Sequence, residues 1–301
     1  MLSILIPVYN YDIRTLLKQL AHQCGQLHLS YEIICLDDAS DSKYQEYYQE
    51  IKKVLKIQWL STIKNIGRSA ARNTLARQAN FENVLFLDCD VMLPDDHFID
   101  RYKEYFQNKN TTVIYGSCNY PMEKPADQKL MLHWIYGTEE ENLPLKERIK
   151  NPYDTFHTVN FLVKRKIILA NPFDESISKY GYEDSLWAQS LKQKNIDIQH
   201  IVNPVLHTGI HPTKYFLRKT AQAIHNLIHL ELNKKSLETK LIKLLKKIHA
   251  LGLENLAFKL YRWNEKRIVQ NLLSEHPSLI CFSIYKLGLF MRFRRRTTAD
   301  H

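Results

Sequence analysis

Three short apolar runs, each closing on polar or acidic residues, constrain the fold of this chain more than any other feature. Residues 2–8 (Leu-Ser-Ile-Leu-Ile-Pro-Val) lead into Tyr9-Asn10, residues 32–36 into Asp37-Asp38, and residues 84–87 into Asp88-Cys89-Asp90. Continuous apolar runs of this length suit strands buried on both faces. Between them the spacing is helical. Ile13, Leu16, Leu17, Leu20 and Ala21 follow Asp12, which is placed as an N-cap. Tyr44, Tyr47, Tyr48, Ile51, Val54 and Leu55 mark a second helix, and the small residues from Gly67 to Ala79 a third. A short strand is expected at 57–60. Strands alternating with helices predict an α/β fold with a mostly parallel central sheet, whose ligand crevice lies at the carboxyl ends of the strands.

From about residue 108 to 203 the pattern is mixed, with strands expected at 113–115, 159–163 and 196–201 and a helix running from Glu183-Asp184 to Lys194. Beyond Thr213 the chain reads helical and basic. With no internal repeat and no low-complexity linker, this tail is expected to pack on the main domain. At 301 residues and 45% hydrophobic content, the chain can hold one large domain and an appendage.

Composition removes several function classes. Eight glycines, with neither GxGxxG nor GxxxxGK[ST], leave a dinucleotide fingerprint or a P-loop unsupported. Five scattered cysteines without a CxxC pair argue against a disulfide framework or a cysteine zinc site and for a reducing cytoplasm. No apolar run is long enough to span a bilayer. The first run lacks a basic flank and soon meets Asp12, so it reads as a strand and not a signal peptide. The net charge of +10, with much of the excess after Pro212, suits nucleic acid, anionic lipid or phosphorylated substrates, or simply a solvated face.

Two acidic pairs carry the chemistry. In an extended segment residues i and i+2 face the same way, so Asp88 and Asp90 would form a hard-oxygen site for a divalent cation that holds a diphosphate. The plainer reading is two solvated loop acids. Glu183-Asp184 begins a helix, where acids commonly offset the helix dipole. A catalytic role needs one carboxylate within reach of an acceptor hydroxyl. Tyr180, Tyr182 and Trp187 offer faces for a sugar to stack on, or belong to the core. His207 suits Mn2+ beside carboxylates, or is a structural hydrogen-bonding residue.

Taken in order, Ser3-Ile4-Leu5-Ile6-Pro7-Val8-Tyr9-Asn10, Leu36-Asp37-Asp38-Ala39-Ser40, the run from Asn65-Ile66-Gly67-Arg68 to Ala71-Arg72-Asn73, and Phe86-Leu87-Asp88-Cys89-Asp90 resemble the inverting family 2 glycosyltransferases of the GT-A fold. Residues 160–165, 173–175 and 181–184 extend the resemblance to about residue 210, and the whole chain is similar to uncharacterised members from Bacteroidetes-like bacteria.

The resemblance implies a sugar transfer from a nucleotide-sugar to a hydroxyl acceptor in glycan or polysaccharide biosynthesis, with Mn2+ or Mg2+. It implies that Pro7, Tyr9 and Asp38 border the nucleobase and ribose, with Asp37 nearby, and that Lys64, Asn65 and Arg68 line the nucleotide side. Asp88 would meet the ribose or the metal's water shell. Asp90 would bind the metal, with His207 completing the site. Asp184 would be the general base and Glu183 would orient the acceptor, which Tyr182, Trp187 and Asn160 would border. Ala39 departs from the family, which often has glycine there; alanine disfavours a positive φ but should be tolerated.

The implied division is a GT-A catalytic domain at 1–212, with a nucleotide-binding half at 1–107 and an acceptor-binding half at 108–212, followed by a basic helical C-terminal extension at 213–301. The expected partners are a UDP-sugar donor by preference, a glycan or lipid-linked acceptor and an anionic membrane surface, not nucleic acid.

Other readings stand beside this one. An apolar strand followed by D-x-D also marks haloacid dehalogenase-like phosphatases, but there the motif follows the first strand and here it follows about the fourth. A non-catalytic basic binding module on a degenerate GT-A fold would not need the intact set of four acids. In the tail, Leu237, Leu241, Leu244, Leu245 and Ile248 interleave with Lys240, Lys243, Lys246 and Lys247, and an apolar stretch at 279–291 runs into Arg292, Arg294, Arg295 and Arg296. This pattern fits an amphipathic face lying on the cytoplasmic side of a membrane, or a stripe packed on the catalytic domain.

Overall fold

The apolar runs become neighbouring strands. In the computed structural model β1 (Leu2–Val8) pairs in parallel with β2 (Tyr31–Asp37) on one side and with β4 (Asn83–Leu87) on the other, and β2 pairs with β3 (Gln58–Ser61). The connecting helices are α1 (Arg14–Gln26), α2 (Ser42–Val54) and α3 (Arg68–Gln78). The structure describes residues 1–108, 112–177, 180–233, 235 and 237–299, with backbone alone at 297–299. The chain groups into two units. The first is Met1–Pro121, Glu141–Ser178 and Glu183–Gly209; the second is Met122–Glu140, Lys179–Tyr182 and Ile210–His301.

The first unit holds a seven-stranded sheet of order β3-β2-β1-β4-β8-β6-β9, with β6 at Val113–Tyr115, β8 at Asn160–Lys164 and β9 at Ile198–His200. β8 runs antiparallel to both neighbours. A smaller sheet joins β10 (Val205–His207) to β5 (Val91–Met92) and β7 (Cys118–Asn119). Helices α4 (Phe98–Lys103), α6 (Leu145–Arg148), α7 (Arg165–Ala170) and α8 (Glu183–Gln193) complete the unit. The strand order reverses between β1 and β4, which is where an open α/β sheet leaves its crevice. The floor beneath that point is aromatic. The rings of Phe86 and Phe161 stack at 4.8 Å, and Phe156, Phe173 and Trp187 close around them. Burying a side chain of this class contributes about 1.5–3 kcal/mol.

Two local expectations shift. Ile13, not Asp12, is the N-cap residue of α1; Asp12 Oδ1 still accepts the Arg14 N–H at 3.1 Å. The segment Cys89-Asp90 is a turn and not an extended strand end, so strand alternation does not set the facing of the two aspartates.

In the second unit α5 (Met131–Tyr136), α9 (Thr213–Leu232), α10 (Lys240–Ala250), α11 (Glu254–Leu272) and α12 (Leu279–Ala299) follow from apolar residues at helical spacing. Their core is Leu132, Phe216, Leu217, Tyr261, Leu272 and Phe282. Gly288 lets α12 lie against the Tyr261 ring, where a Cβ would come within 2.3 Å. No helix among the described residues is long and apolar enough to cross a membrane.

Candidate active site

The loops after β1, β2 and β4 are built from their own polar residues. After β2, Asp37 is buried; its Oδ1 accepts the Ser40 N–H at 2.9 Å and its Oδ2 the Gln45 side chain at 2.8 Å. Asp38 is also buried and accepts the N–H groups of Ile66 at 2.7 Å and Gly67 at 3.0 Å. Asn65 donates back to Asp38 O at 3.1 Å. Ala39 takes a positive φ of +61°. The loop after β1 is tied alongside, since Asn10 N–H donates to Ser40 Oγ at 2.9 Å. Pro7 is partly buried, whereas Tyr9, Lys64, Asn65 and Arg68 are exposed around this rim.

Helix α3 presents Arg72 inward among Ala71, Leu75 and Ala76, and the side chain is fully buried. Its Nη2 donates to Asp88 Oδ1 at 2.6 Å, and its Nη1 lies 3.9 Å from Glu183 Oε1. Arg68, one turn earlier and half-exposed, is 3.7 Å from the same Glu183 oxygen. Asn73 holds the 173–175 segment through Phe173 N and O, both at 2.9 Å. Arg72 therefore links the end of β4 to the start of α8.

Pairing of β10 with β5 sets Asp90 beside His207. The register matches His207 with Val91, and Thr208 N–H donates to Asp90 O at 2.9 Å. His207 Nε2 stands 3.6 Å from Asp90 Oδ2, and Tyr120 stacks on the imidazole at 5.0 Å. Gly209 makes room for the carboxylate, since a Cβ there would fall 2.6 Å from Asp90 Oδ2. Among the described residues no three His, Cys, Asp or Glu side chains gather as a ready metal cage. A carboxylate and an imidazole side by side nonetheless fit Mn2+ or Mg2+, which commonly take only one or two protein ligands and leave the rest to substrate phosphate and water. Asp88, held by Arg72, fits the outer role.

Glu183 is buried between the two arginines, whereas Asp184 stays partly exposed. Asp184 Oδ1 accepts the Ser185 N–H at 2.7 Å, and Oδ2 pairs with His157 Nδ1 at 3.1 Å. Burial alone would raise the Asp184 pKa, but the His157 hydrogen bond and charge, the Ser185 N–H and Arg72 together hold it below the usual carboxylate value.

Two of the expected acceptor residues, Asn160 and Trp187, need correction. Asn160 is fully buried at the start of β8, with Oδ1 accepting from Tyr102 and Nδ2 donating to Ser117 O and Asn203 O. Its amide is satisfied inside the core. Trp187 is 2% exposed, donates to Asn171 O at 2.7 Å and packs on Phe173, so neither face is open to a sugar. Tyr182 belongs to the second unit, with a φ of +70°. Two residues escaped the sequence reading. Arg72 could have been found as an arginine on the small apolar face of α3; His157, 27 positions from Asp184 and in a loop, carries no sequence signal.

The family model described as glycosyl transferase family 2 matches residues 3–175. The poly-beta-1,6-N-acetyl-D-glucosamine synthase of Staphylococcus epidermidis is 26% identical over 116 residues, 38% of this chain and 28% of that protein. The chain spans 12 to 33% of the length of the first curated relatives it matches. Among solved structures, S. aureus TarS 1–349 superposes with a TM-score of 0.52 at 16% identity, over 100% of this chain and 92% of that one. Glucosyl-3-phosphoglycerate synthase from Mycobacterium tuberculosis, in complex with Mn2+, UDP and glucosyl-3-phosphoglycerate, gives 0.52 at 14% identity over 76% and 79%. These likenesses share the GT-A fold. With more than half its length matched, the chain belongs to glycosyl transferase family 2.

Proposed function

We propose that this chain is an inverting glycosyltransferase that takes a nucleotide-sugar, a UDP-sugar by preference, and moves the sugar to a hydroxyl of a glycan or lipid-linked acceptor in glycan or polysaccharide biosynthesis. The observation that carries the reading is the joining of Asp88 and Glu183 through buried Arg72, which sets the Asp90–His207 pair and the partly exposed Asp184 on linked segments. Pro7, Tyr9, Asp38 and the nearby Asp37 border the nucleobase and ribose, and Lys64, Asn65 and Arg68 line the nucleotide. Asp90 and His207 would hold the cation, with Asp88 beside them in an outer role. When bound, the cation offsets charge on the departing diphosphate. Glu183, held by the two arginines, keeps the start of α8 in place and helps to orient the acceptor. Asp184 takes the acceptor hydroxyl proton while that oxygen bonds to the anomeric carbon. The bond from this carbon to the diphosphate oxygen breaks on the opposite face, and the configuration inverts. The catalytic machinery lies within 1–212, and 213–301 forms its basic extension.

Nucleotide-sugars incubated with the full chain, with and without Mn2+, test this. The expected result is a Mn2+-dependent rise in Tm with a UDP-sugar, followed by release of UDP. Release of phosphate from phosphomonoesters, or no response to any nucleotide-sugar, would overturn it.

We propose further that the basic extension holds the protein against the cytoplasmic face of a membrane. Supporting this, α10 carries Lys240, Lys243, Lys246 and Lys247 near Leu244, which is 42% exposed, and α12 leaves Ile280 74% exposed. Leu244, Leu279, Ile280, Ile284 and Leu287 line one groove there. Basic residues near anionic lipid contribute about 1 kcal/mol each. Flotation with anionic vesicles should show binding that high salt removes; no binding at low salt would reject the assignment.

A further inference from the structure

We infer that His157 is the positioning residue of the general base: its Nδ1–H donates to Asp184 Oδ2, fixes that carboxylate for the incoming hydroxyl and supplies the cation that keeps it ionised. The inference rests on the reading of Asp184 given above. A carboxylate has about four lone-pair sites. The Ser185 N–H anchors one oxygen at 2.7 Å and His157 the other at 3.1 Å. Two anchors on two oxygens fix the plane of the group and leave lone pairs for a substrate proton. His157 is itself held in place. It lies in the run-up to β8, where Val159 O accepts the Asp88 N–H at 3.0 Å, and the Tyr115 ring stands edge-on at 6.3 Å. The dyad also remains reachable, since His157 is 39% and Asp184 22% exposed.

The charges around His157 favour the imidazolium. Burial works against it, but the Asp184 hydrogen bond and charge, with Glu141 and Asp88 beyond, outweigh burial and raise its pKa to about 8. His200, on β9, feels the His157 charge in return; burial chiefly, with Arg148 and His157, lowers it to about 4. Near neutral pH His157 is charged and its neighbour His200 is not. Asp184 then meets the acceptor as an anion, with its imidazolium partner already carrying a proton, so the proton it removes from the acceptor stays on Asp184.

The test uses the full chain. NMR of the histidine side chains, with His157 assigned by His157→Gln, should show His157 titrating near pH 8 and returning toward about 6.5 in Asp184→Asn. Titration near 6.5 in the parent protein would overturn the inference. With the donor found in the nucleotide-sugar screen, His157→Gln should lower kcat about 10²-fold, the order expected for a misplaced reacting group. It should also move the acid limb of the kcat profile to higher pH, because Asp184 loses its cation. Donor KM and Mn2+–UDP binding should be unchanged, as a misfolded variant would not allow. His157→Ala should be worse than His157→Gln, which retains a hydrogen-bond donor. An unaltered pH profile in His157→Gln, beside an inactive Asp184→Asn, would reject the role of His157 alone. An active Asp184→Asn would instead reject Asp184 as the base.

Discussion

The acidic pair that ends β4 and the acidic pair that begins α8 divide their labour in the same way. In each, one carboxylate answers to Arg72: Asp88 at 2.6 Å and Glu183 at 3.9 Å. In each, the other answers to a histidine: Asp90 to His207 at 3.6 Å and Asp184 to His157 at 3.1 Å. The histidine contacts differ in kind. A separation of 3.1 Å is a hydrogen bond, whereas 3.6 Å is too long for one. The α8 pair is a closed dyad suited to holding a carboxylate for proton transfer. The β4 pair sets a carboxylate and an imidazole side by side at 3.6 Å, as two donors to one cation should be. Arginine sets the frame in both, and the histidine contact separates proton chemistry from ion binding.

The sharpest break is at Arg72. Replacing it with methionine removes the cation common to both pairs and leaves Asp88 and buried Glu183 without their shared partner. Removing one member of a buried ion pair costs about 3–5 kcal/mol. Urea unfolding of Arg72→Met should show a loss of that order, along with loss of turnover. A loss under about 1 kcal/mol would mean that the two pairs are held independently and that the comparison fails.

The histidine-facing acids should separate rate from binding. Asp184→Asn keeps the side chain's shape but cannot accept a proton, so turnover should fall about 10²–10⁴-fold with Mn2+–UDP affinity intact. Asp90→Ala should instead abolish the Mn2+-dependent part of UDP binding, read by calorimetry, with unfolding unchanged. Exchange of these two outcomes would reverse the assignment of the pairs.

The closed dyad should also register in stability against pH. His157 is raised in the folded protein, so its contribution is complete below the unfolded value of about 6.5 and is lost as pH rises through about 8. Asp184 is lowered, so its contribution is present above about 3.9 and is lost as pH falls through its folded value. Thermal unfolding followed from pH 4 to 9 should show an alkaline decline that begins near 6.5 and is nearly complete just above 8. That decline should disappear in Asp184→Asn.

What the sequence disclosed follows from how locally each feature is determined. The parallel strands were legible because residues 2–8, 32–36 and 84–87 are apolar but for Ser3 and Glu32, and their ends fixed the crevice. The Asp90–His207 approach was half-legible, since residue types suggested it but only the β10–β5 register brings the two together. Asn160 and Trp187 were misplaced because an amide and an indole look alike in sequence whether they meet a ligand or satisfy the core. His157 was invisible because its meaning comes from a contact across 27 residues, through a loop with no periodicity.

The smallest effect is a control that leaves both pairs untouched. Ala39 sits at φ +61° between Asp38 and Ser40, in the left-handed region where a non-glycine residue costs about 1–2 kcal/mol. The loop imposes this conformation. Asp38 N–H donates to Val8 O at 2.8 Å, and Asp37 Oδ1 accepts the Ser40 N–H at 2.9 Å, so the residue between them has little choice. Glycine would relieve the strain but would also widen the unfolded ensemble, which costs back about 0.4–1 kcal/mol. The balance predicts that Ala39→Gly stabilises the protein by about 0.5–1 kcal/mol, a rise of a few degrees in Tm at most. The His157 titration and turnover should be those of the parent, because neither arginine nor histidine contacts change. A lower Tm would show that chain entropy outweighs the strain at this turn. A changed turnover would show that the β2 loop is coupled to the acid pairs, and the difference between them could then no longer be assigned to their arginine and histidine partners alone.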